Sequence, residues 1–199
     1  MGAAFFVVAA FFAAFRALGR FFSAARWAAV IEKGRIVWQG EMAVLRDDAA
    51  LHESFKHHFE GFPVDAPPMA MLSAMVNTLA CFYPGIQRSS EEDFNEEAAW
   101  LLSKTRTIAA YSYRRSMGMP FVHTDPKLCY AGDFLHLLFS QPLDEFIASP
   151  AVVRALNLVL ILHADHELGC STTTVRMVGS SKANLFASIA AGICALWGP

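Results

Sequence analysis

Apolar residues recur at helical spacing from about residue 47 to the end of this chain. Leu51, Phe55 and Phe59 stand four residues apart, and they follow Asp47 and Asp48, residue types that favour a helix N-terminus. This pattern predicts a first helix that ends two residues after Phe59, at a glycine.

The same periodicity continues through most of the remaining sequence. Prolines in the first turn and glycines after the last periodic residue mark several helix boundaries. We predict further helices over residues 67–84, 89–115, 149–163 and 180–197, with a shorter apolar stretch at 134–139. The one strand signal lies between Val30 and Trp38, where two β-prone runs flank a Lys-Gly turn and predict a hairpin. The predicted fold class is therefore all-α.

Residues 3–15 form an unbroken apolar run of Ala, Phe and Val. A membrane span needs about 20 apolar residues, so this run is short. No Lys or Arg precedes it, which argues against a secretory signal. Arg16, Arg20 and Arg26 without an acid before Glu32 suit a targeting peptide, but the Phe residues do not keep to one helical face. Three interpretations of this run stay open: a membrane or targeting role, a buried helix, and a non-native extension of a truncated chain.

Composition excludes several classes of protein. The 199 residues are 55% hydrophobic and 17% charged, which excludes an intrinsically disordered chain. A net charge of −2 gives no basic field for nucleic acid, and none is expected as a partner. The four cysteines form no C-x-x-C pair, so neither a zinc knuckle nor a redox pair is indicated, and buried free thiols are expected.

Motif searches for common catalytic sites are mostly negative. No G-x-G arrangement or G-x-S-x-G elbow occurs. His52 and Glu53 resemble the start of a metalloprotease helix, but Lys56 occupies the position of the required second histidine. His57 and His58 miss that position, so a solvated helix face explains them better, and no metal site is predicted.

A polar cluster ends the apolar helix that begins near residue 149. It contains His163, Asp165, His166 and Glu167. The two histidines are three residues apart and share a helical face. Such groups are costly to bury unless they pair or face a cavity. Mutually satisfied core histidines, a ligand-facing histidine oriented by the acids, and a metal site remain as alternatives, although H-x-x-H-E matches neither common zinc motif.

Small residues line one row of the last predicted helix. They recur every fourth position, beside Ser188 and Gly192, at Ala183, Ala187, Ala191 and Ala195. Small side chains let two helix backbones approach closely, either inside one chain or between subunits.

Four stretches of the chain closely resemble citrate synthases. They begin at Leu51 (LHESFKHHFEGFPVDAPPMAMLSAMVNTLACFYP), Leu101 (LLSKTRTIAAYSYRRSMGMPFV), Cys129 (CYAGDFLHLLF) and Leu160 (LILHADHELGCSTTTVRMVGSSKANLFASIAAGICALWGP). The resemblance covers about residues 49–199, whereas residues 1–30 match nothing in the family. We therefore expect an atypical apolar segment with the hairpin over residues 1–46, and part of a citrate synthase large helical domain over residues 47–199.

The resemblance implies an all-α homodimer that condenses acetyl-CoA with oxaloacetate and water to give citrate and CoA, an acyltransferase of the tricarboxylic acid cycle. Acetyl-CoA is then a substrate, and no cofactor is expected. The histidine of the family's Asp-His-Glu triplet lines the oxaloacetate pocket, which assigns that role to His166, with His163, Asp165 and Glu167 as supporting residues. The dimer contact is expected on the row of alanines.

The catalytic residues themselves are expected outside this sequence. The family's enolate-stabilising histidine follows the Trp-Gly-Pro found here at 197–199, and its ketone-polarising histidine, Asp base and substrate-binding arginines lie further on. We therefore interpret the chain as a fragment that is inactive alone. A 2-methylcitrate synthase fragment, or a non-catalytic helical scaffold held at a membrane by residues 3–15, are the alternatives. A cytoplasmic, bacterial-like location is expected, with the mitochondrial matrix as the alternative.

Overall fold

The computed structural model describes residues 50–84, 91–164 and 169–197. These residues form seven α-helices and one 3₁₀ helix, and within them the backbone forms no strand, so the all-α prediction is confirmed. None of the described helices is long and apolar enough to cross a membrane. The helices are α1 (Glu53–Lys56), α2 (Pro68–Phe82), α3 (Glu91–Ser116), α4 (Tyr130–Phe139), α5 (Pro150–Ala164), α6 (Cys170–Ser180) and α7 (Leu185–Cys194), and the 3₁₀ helix His57–Gly61 follows α1.

Several sequence predictions fall outside the described residues. These are the apolar run at 3–15, the hairpin at 30–38 and the capping residues Asp47 and Asp48.

The first predicted helix is instead a short α-helix followed by a 3₁₀ helix. His52 caps it, because its Nδ1 accepts a hydrogen bond from the Ser54 N–H at 3.2 Å. The tighter 3₁₀ winding is common at helix ends. The predicted buried face is nevertheless right, since Leu51, Phe55 and Phe59 are all buried.

The boundaries of α2, α3 and α5 agree with the predictions to within two residues, but the last predicted helix begins later than its serine pair suggested. Residues 181–184 form a turn between α6 and α7, with Lys182 in the left-handed region at φ 63°. The Asn184 side chain then accepts the Ala187 N–H at 2.8 Å and caps α7. Asparagine is among the most favourable N-cap residues, so a new helix begins after it.

The helices enclose one apolar core. α7 packs against α2 and α6, α2 packs against α3, α3 packs against α4, and α5 rests on α4. Aromatic rings join the early segments to this core, since Phe59 meets both Tyr111 and Phe121 at 5.9 and 5.4 Å between ring centroids.

The prediction of buried cysteines was wrong for three of the four. Cys81, Cys170 and Cys194 are exposed and Cys129 is half-buried, all as free thiols. On α2, the buried face is formed by Met75, Val76 and Leu79, and position 81 lies to its outer side.

Candidate functional site

The predicted site lies where α5 leads into α6. α5 carries His163 one residue before its end, and α6 begins at Cys170. Asp165, His166 and Glu167, together with the side chain of His163, lie outside the part of the chain that the structure describes. The described residues therefore define the two helix ends between which these residues lie in the sequence.

The start of α6 is well fixed by local hydrogen bonds. The Gly169 carbonyl accepts both the Thr173 N–H at 3.1 Å and the Thr173 hydroxyl at 3.2 Å. Ser171 and Thr172 are buried, whereas Cys170 is exposed. The chain thus leaves the candidate site in one defined direction.

The end of α5 has fewer contacts with the rest of the protein. Among its described side chains, at positions 150–160, Leu160 is buried and Val153 and Leu156 pack partly against the core. Val152 and Leu158 are 47% and 42% exposed. The helix that leads to the candidate site is therefore covered on one side only.

A buried ion pair between α3 and α4 was not anticipated from the sequence. Arg106 of α3 and Asp133 of α4 approach to 2.9 Å between Nη2 and Oδ2, and each side chain is only 2% exposed. The Asp125 N–H donates to the other carboxylate oxygen at 2.8 Å. The Arg106 guanidinium also lies over the Tyr130 ring, 4.6 Å from its centroid. This pair joins α3 to α4 inside the core.

Burial shifts the pKa values of several side chains in this interior. It raises the pKa of Asp133, and the nearby Arg106 charge and the Asp125 N–H offset part of that rise. Burial likewise raises the pKa of Tyr111 and of Tyr130 well above the ordinary value. Both phenols therefore stay protonated and donate hydrogen bonds to backbone carbonyls, those of Val122 at 2.9 Å and Leu102 at 3.0 Å.

A second buried arginine holds the end of α4. Nη1 of Arg114 donates to the carbonyls of Leu137, Leu138 and Ser140 at 3.1, 3.3 and 2.8 Å, and its Nε donates to the Pro120 carbonyl. The last carbonyls of a helix lack partners inside it and carry partial negative charge, so a cation suits them. Desolvation lowers the pKa of Arg114 from its usual high value.

Ser140 and His136 form a polar link just past the end of α4. The imidazole Nε2 lies 3.2 Å from the His123 carbonyl, which can only accept, so this nitrogen carries the proton. Nδ1 then accepts from the Ser140 hydroxyl at 2.9 Å, and the same hydroxyl oxygen accepts the Phe146 N–H at 2.9 Å. Asp133, His136 and Ser140 stand at i, i+3 and i+7 within an apolar run, a spacing that could have revealed this polar face.

The exposed histidines of α1 and the 3₁₀ helix match the predicted solvated face. His52, His57 and His58 are all exposed. In the described part of the chain, no group of three or more His, Cys, Asp or Glu side chains could hold a metal ion.

Two of the four alanines in the predicted row, Ala187 and Ala191, lie on α7, whereas Ala183 lies in the preceding turn and Ala195 caps the end of the helix. Ala187 and Ala191 are half-buried, while Ser188 and Gly192 are buried. A side chain added at Gly179 of α6 would meet the Ser188 hydroxyl at 4.0 Å, so the α6–α7 contact uses small residues.

Comparison with known proteins assigns this helical chain to a family. The sequence model of "Citrate synthase, C-terminal domain" matches residues 39–199. The chain therefore belongs to the citrate synthase family.

Individual relatives agree with this assignment. Over 150 residues the chain is 49% identical to citrate synthase 1 of Mycobacterium tuberculosis, a match that covers 75% of this chain and 35% of the relative. The chain thus spans about a third of the length of the curated relatives it matches.

Solved structures show the same fold. Citrate synthase from Pyrobaculum aerophilum matches with 29% identity and a TM-score of 0.68, over 92% of this chain and 47% of that one. The Thermoplasma acidophilum enzyme, solved with carboxymethyl coenzyme A and oxaloacetate, matches in fold with 23% identity and a TM-score of 0.74, over 87% of this chain and 45% of that one.

Proposed function

We propose that this chain supplies the oxaloacetate-binding helical part of a citrate synthase, the acyltransferase that condenses acetyl-CoA with oxaloacetate and water to give citrate and CoA. The observation that carries the proposal is the 49% identity with a curated citrate synthase over 150 residues. The Asp165-His166-Glu167 triplet, which lies in the sequence between α5 and α6, supports it.

The proposed chemistry divides roles among residue types. A carboxylate removes a methyl proton from acetyl-CoA while a histidine hydrogen-bonds the forming enolate. The oxaloacetate ketone and carboxylates are held by histidine and arginine side chains. In this chain His166 contacts oxaloacetate, and Asp165 and Glu167 hold its ring in one tautomer. His163 is a structural partner at the end of α5.

A chimera tests the proposal directly. In citrate synthase 1 of Mycobacterium tuberculosis, the 150 aligned residues are replaced by those of this chain, and oxaloacetate-dependent release of CoA from acetyl-CoA is measured. We expect the chimera to be active and the 199-residue chain alone to show no such release. A correctly folded chimera without activity would contradict the proposal.

The two histidines are distinguished in the same chimera. We expect His166→Ala to raise the KM for oxaloacetate with little change in melting temperature. His163→Ala should mainly lower the melting temperature. The reverse pattern would show that the two roles are exchanged.

We also propose that two copies associate through the alanine row of α7. Ala187 and Ala191 are half-buried on a side of α7 that the described core does not fully cover. Replacing both with Leu would overpack such a contact, at a cost of about 1–3 kcal/mol. Light scattering should then show a smaller particle, and Ala155→Leu on exposed α5 is the matched control. An unchanged mass in the double variant would contradict the contact.

A further inference from the structure

α5 leads to the candidate site, yet its described side chains contact the rest of the protein on one side only. Its direction therefore depends on how its first turn is attached. The chain reaches α5 through residues 140–149, which we name the connector. Most connector side chains are exposed, and Leu143 and Ile147 are 102% and 74% exposed.

We propose that Ser140 is a positioning residue, which fixes the connector and through it the direction of α5 towards the oxaloacetate-binding segment. The effect of Ser140 on oxaloacetate binding rests on the proposed function. Its effect on the connector and α5 depends only on hydrogen bonds within this chain and is testable separately.

Ser140 is only 1% exposed and uses every polar atom it has. Its N–H donates to the His136 carbonyl at 3.0 Å, and its carbonyl accepts from Arg114 at 2.8 Å. These two bonds belong to the end of α4. Its hydroxyl instead reaches outward, between the His136 ring and the Phe146 N–H. One side chain thus joins the rigid end of α4 to the connector.

The other connector side chains make longer contacts with the body of the protein. Gln141 Nε2 donates to the Met119 sulfur at 3.7 Å, and Glu145 Oε1 lies 3.8 Å from His136 Nδ1 on a side chain that is 60% exposed. Gln141 and Asp144 bond each other through their backbones at 2.8 and 3.2 Å, so that turn is closed on itself. The Phe146 ring meets Phe139 at 5.5 Å between centroids, while Phe146 is 38% exposed. Phe146 lies four residues before Pro150, where α5 begins. Its attachment therefore sets where the first turn of α5 starts.

The roles of donor and acceptor make serine specific here. The hydroxyl hydrogen is donated to His136 Nδ1, and a lone pair remains for the Phe146 N–H. Alanine would leave both Nδ1 and the Phe146 N–H without that partner, and the loss is costly at His136, whose side chain is buried.

The first measurement needs no variant. Amide hydrogen exchange of the full chain is measured by NMR and corrected for intrinsic exchange rates. The Phe146 N–H should exchange about 10-fold or more slowly than the N–H groups of Glu145 and Ile147. This is the effect of a hydrogen bond whose free energy is near the upper end of the usual range. Equal exchange rates at the three positions would overturn the proposal, even if a variant of Ser140 failed to fold.

The second measurement uses Ser140→Ala. We expect loss of the Phe146 protection and faster exchange in the first turn of α5, with exchange in α3 unchanged. Ser112→Ala is the matched control, because Ser112 is equally buried but bonds a carbonyl of its own helix, that of Ile108, at 2.8 Å. Ser140→Thr keeps the hydroxyl and should restore the protection. An α5 that is unaffected by Ser140→Ala would overturn the proposal.

The catalytic consequence is measured in the chimera. Ser140→Ala should raise the KM for oxaloacetate several-fold while kcat changes less, and Ser140→Thr should recover the original KM. An unchanged KM in an active chimera would overturn the positioning role. A chimera that is inactive before Ser140 is altered would count against the proposed function instead, and the exchange measurements would then decide whether Ser140 positions α5.

Discussion

Helices α4 and α5 follow one another and are both rich in Leu, yet they differ in burial. Nine of the ten residues of α4 are buried. Among the described side chains of α5, Leu160 is buried and most others are exposed. α4 also carries Asp133 and His136 on its inner face and receives Arg114 at its end. The difference teaches that apolar composition alone does not place a helix in a core.

What distinguishes α4 is its polar attachment to α3. Asp133 pairs with Arg106, Tyr130 donates to the Leu102 carbonyl, and Arg114 binds the final carbonyls of α4. Directional contacts of this kind fix one orientation of a helix, whereas apolar contact favours burial without direction. α5 has its polar attachment before it starts, at Ser140.

The largest expected effect comes from Asp133→Ala. It would leave the Arg106 charge buried without its partner, which costs about 3–5 kcal/mol in the free energy of unfolding. Urea denaturation followed by circular dichroism measures this loss. Glu53→Ala is the control, because the Glu53 side chain, which pairs with Lys56 at 2.6 Å, is 75% exposed, and its removal should leave stability nearly unchanged. Similar losses of unfolding free energy in both variants would contradict the idea that the buried pair in α4 stabilises the fold more than an exposed ion pair does.

The two helices are compared directly by truncating one leucine in each. Leu137 of α4 is fully buried and Leu158 of α5 is 42% exposed. We expect Leu137→Ala to cost about 2–5 kcal/mol and Leu158→Ala well below that range. Thermal and urea unfolding check both values. A Leu158→Ala loss as large as that of Leu137→Ala would mean that α5 is covered in solution.

Alkaline pH should weaken the α3–α4 region through its buried phenols. Burial raises the pKa of Tyr111 and Tyr130, so above pH 10 the unfolded chain releases these protons while the folded chain keeps them. Their contribution to stability is full below pH 10 and falls as pH rises, by about 1.4 kcal/mol per pH unit for each tyrosine.

The control for the alkaline effect is the double variant Tyr111→Phe, Tyr130→Phe. Unfolding free energies at pH 9, 10 and 11 should show a shallower decline in this variant than in the unaltered chain. Identical slopes would show that neither phenol is kept from ionising by the fold.

The smallest effect concerns the turn that ends α3 and leads towards α4. Gly118 adopts φ +65°, and no atom lies within 4 Å of a side chain added there, so only backbone strain opposes Gly118→Ala. The expected loss is about 1–2 kcal/mol, and Gly118→Asn should lose less. Gly61 has equal space without the positive φ, so a matching loss in Gly61→Ala would contradict strain as the cause.

The helices of this fold could be predicted because their signals are local. Met69, Leu72, Val76, Leu79 and Phe82 repeat at helical spacing, and in α2 the first four are buried while Phe82 is half-buried. The misplaced start of α7 arose from a local ambiguity, since Ser180, Ser181 and Asn184 are all residue types that can cap a helix.

The polar interior could not be predicted in the same way. Arg106 and Asp133 are 27 positions apart, and Arg114 and Ser140 are 26 apart, so only the folded chain brings them together. The role of His166 came from family resemblance and stays a prediction. The helical spacing of Ser140 from His136 could have placed it on the polar face of α4, but its bond to Phe146, six positions further on, follows no helical repeat.

The Arg114 clamp also has a consequence for the conditions under which the protein keeps its shape. Its acceptors are backbone carbonyls, which do not titrate, and a guanidinium keeps its proton throughout the biological pH range. The hydrogen bonds between Arg114 of α3 and the end of α4 therefore do not depend on a group that is protonated on acidification. The Arg106–Asp133 contact has no such tolerance, because one of its partners is an acid. Because burial raises the pKa of Asp133, its carboxylate takes up a proton at a higher pH in the folded chain than in the unfolded chain. Acidification should therefore exchange this ion pair for a neutral carboxyl at one part of α4, while the Arg114 contacts at the other part keep the same charges.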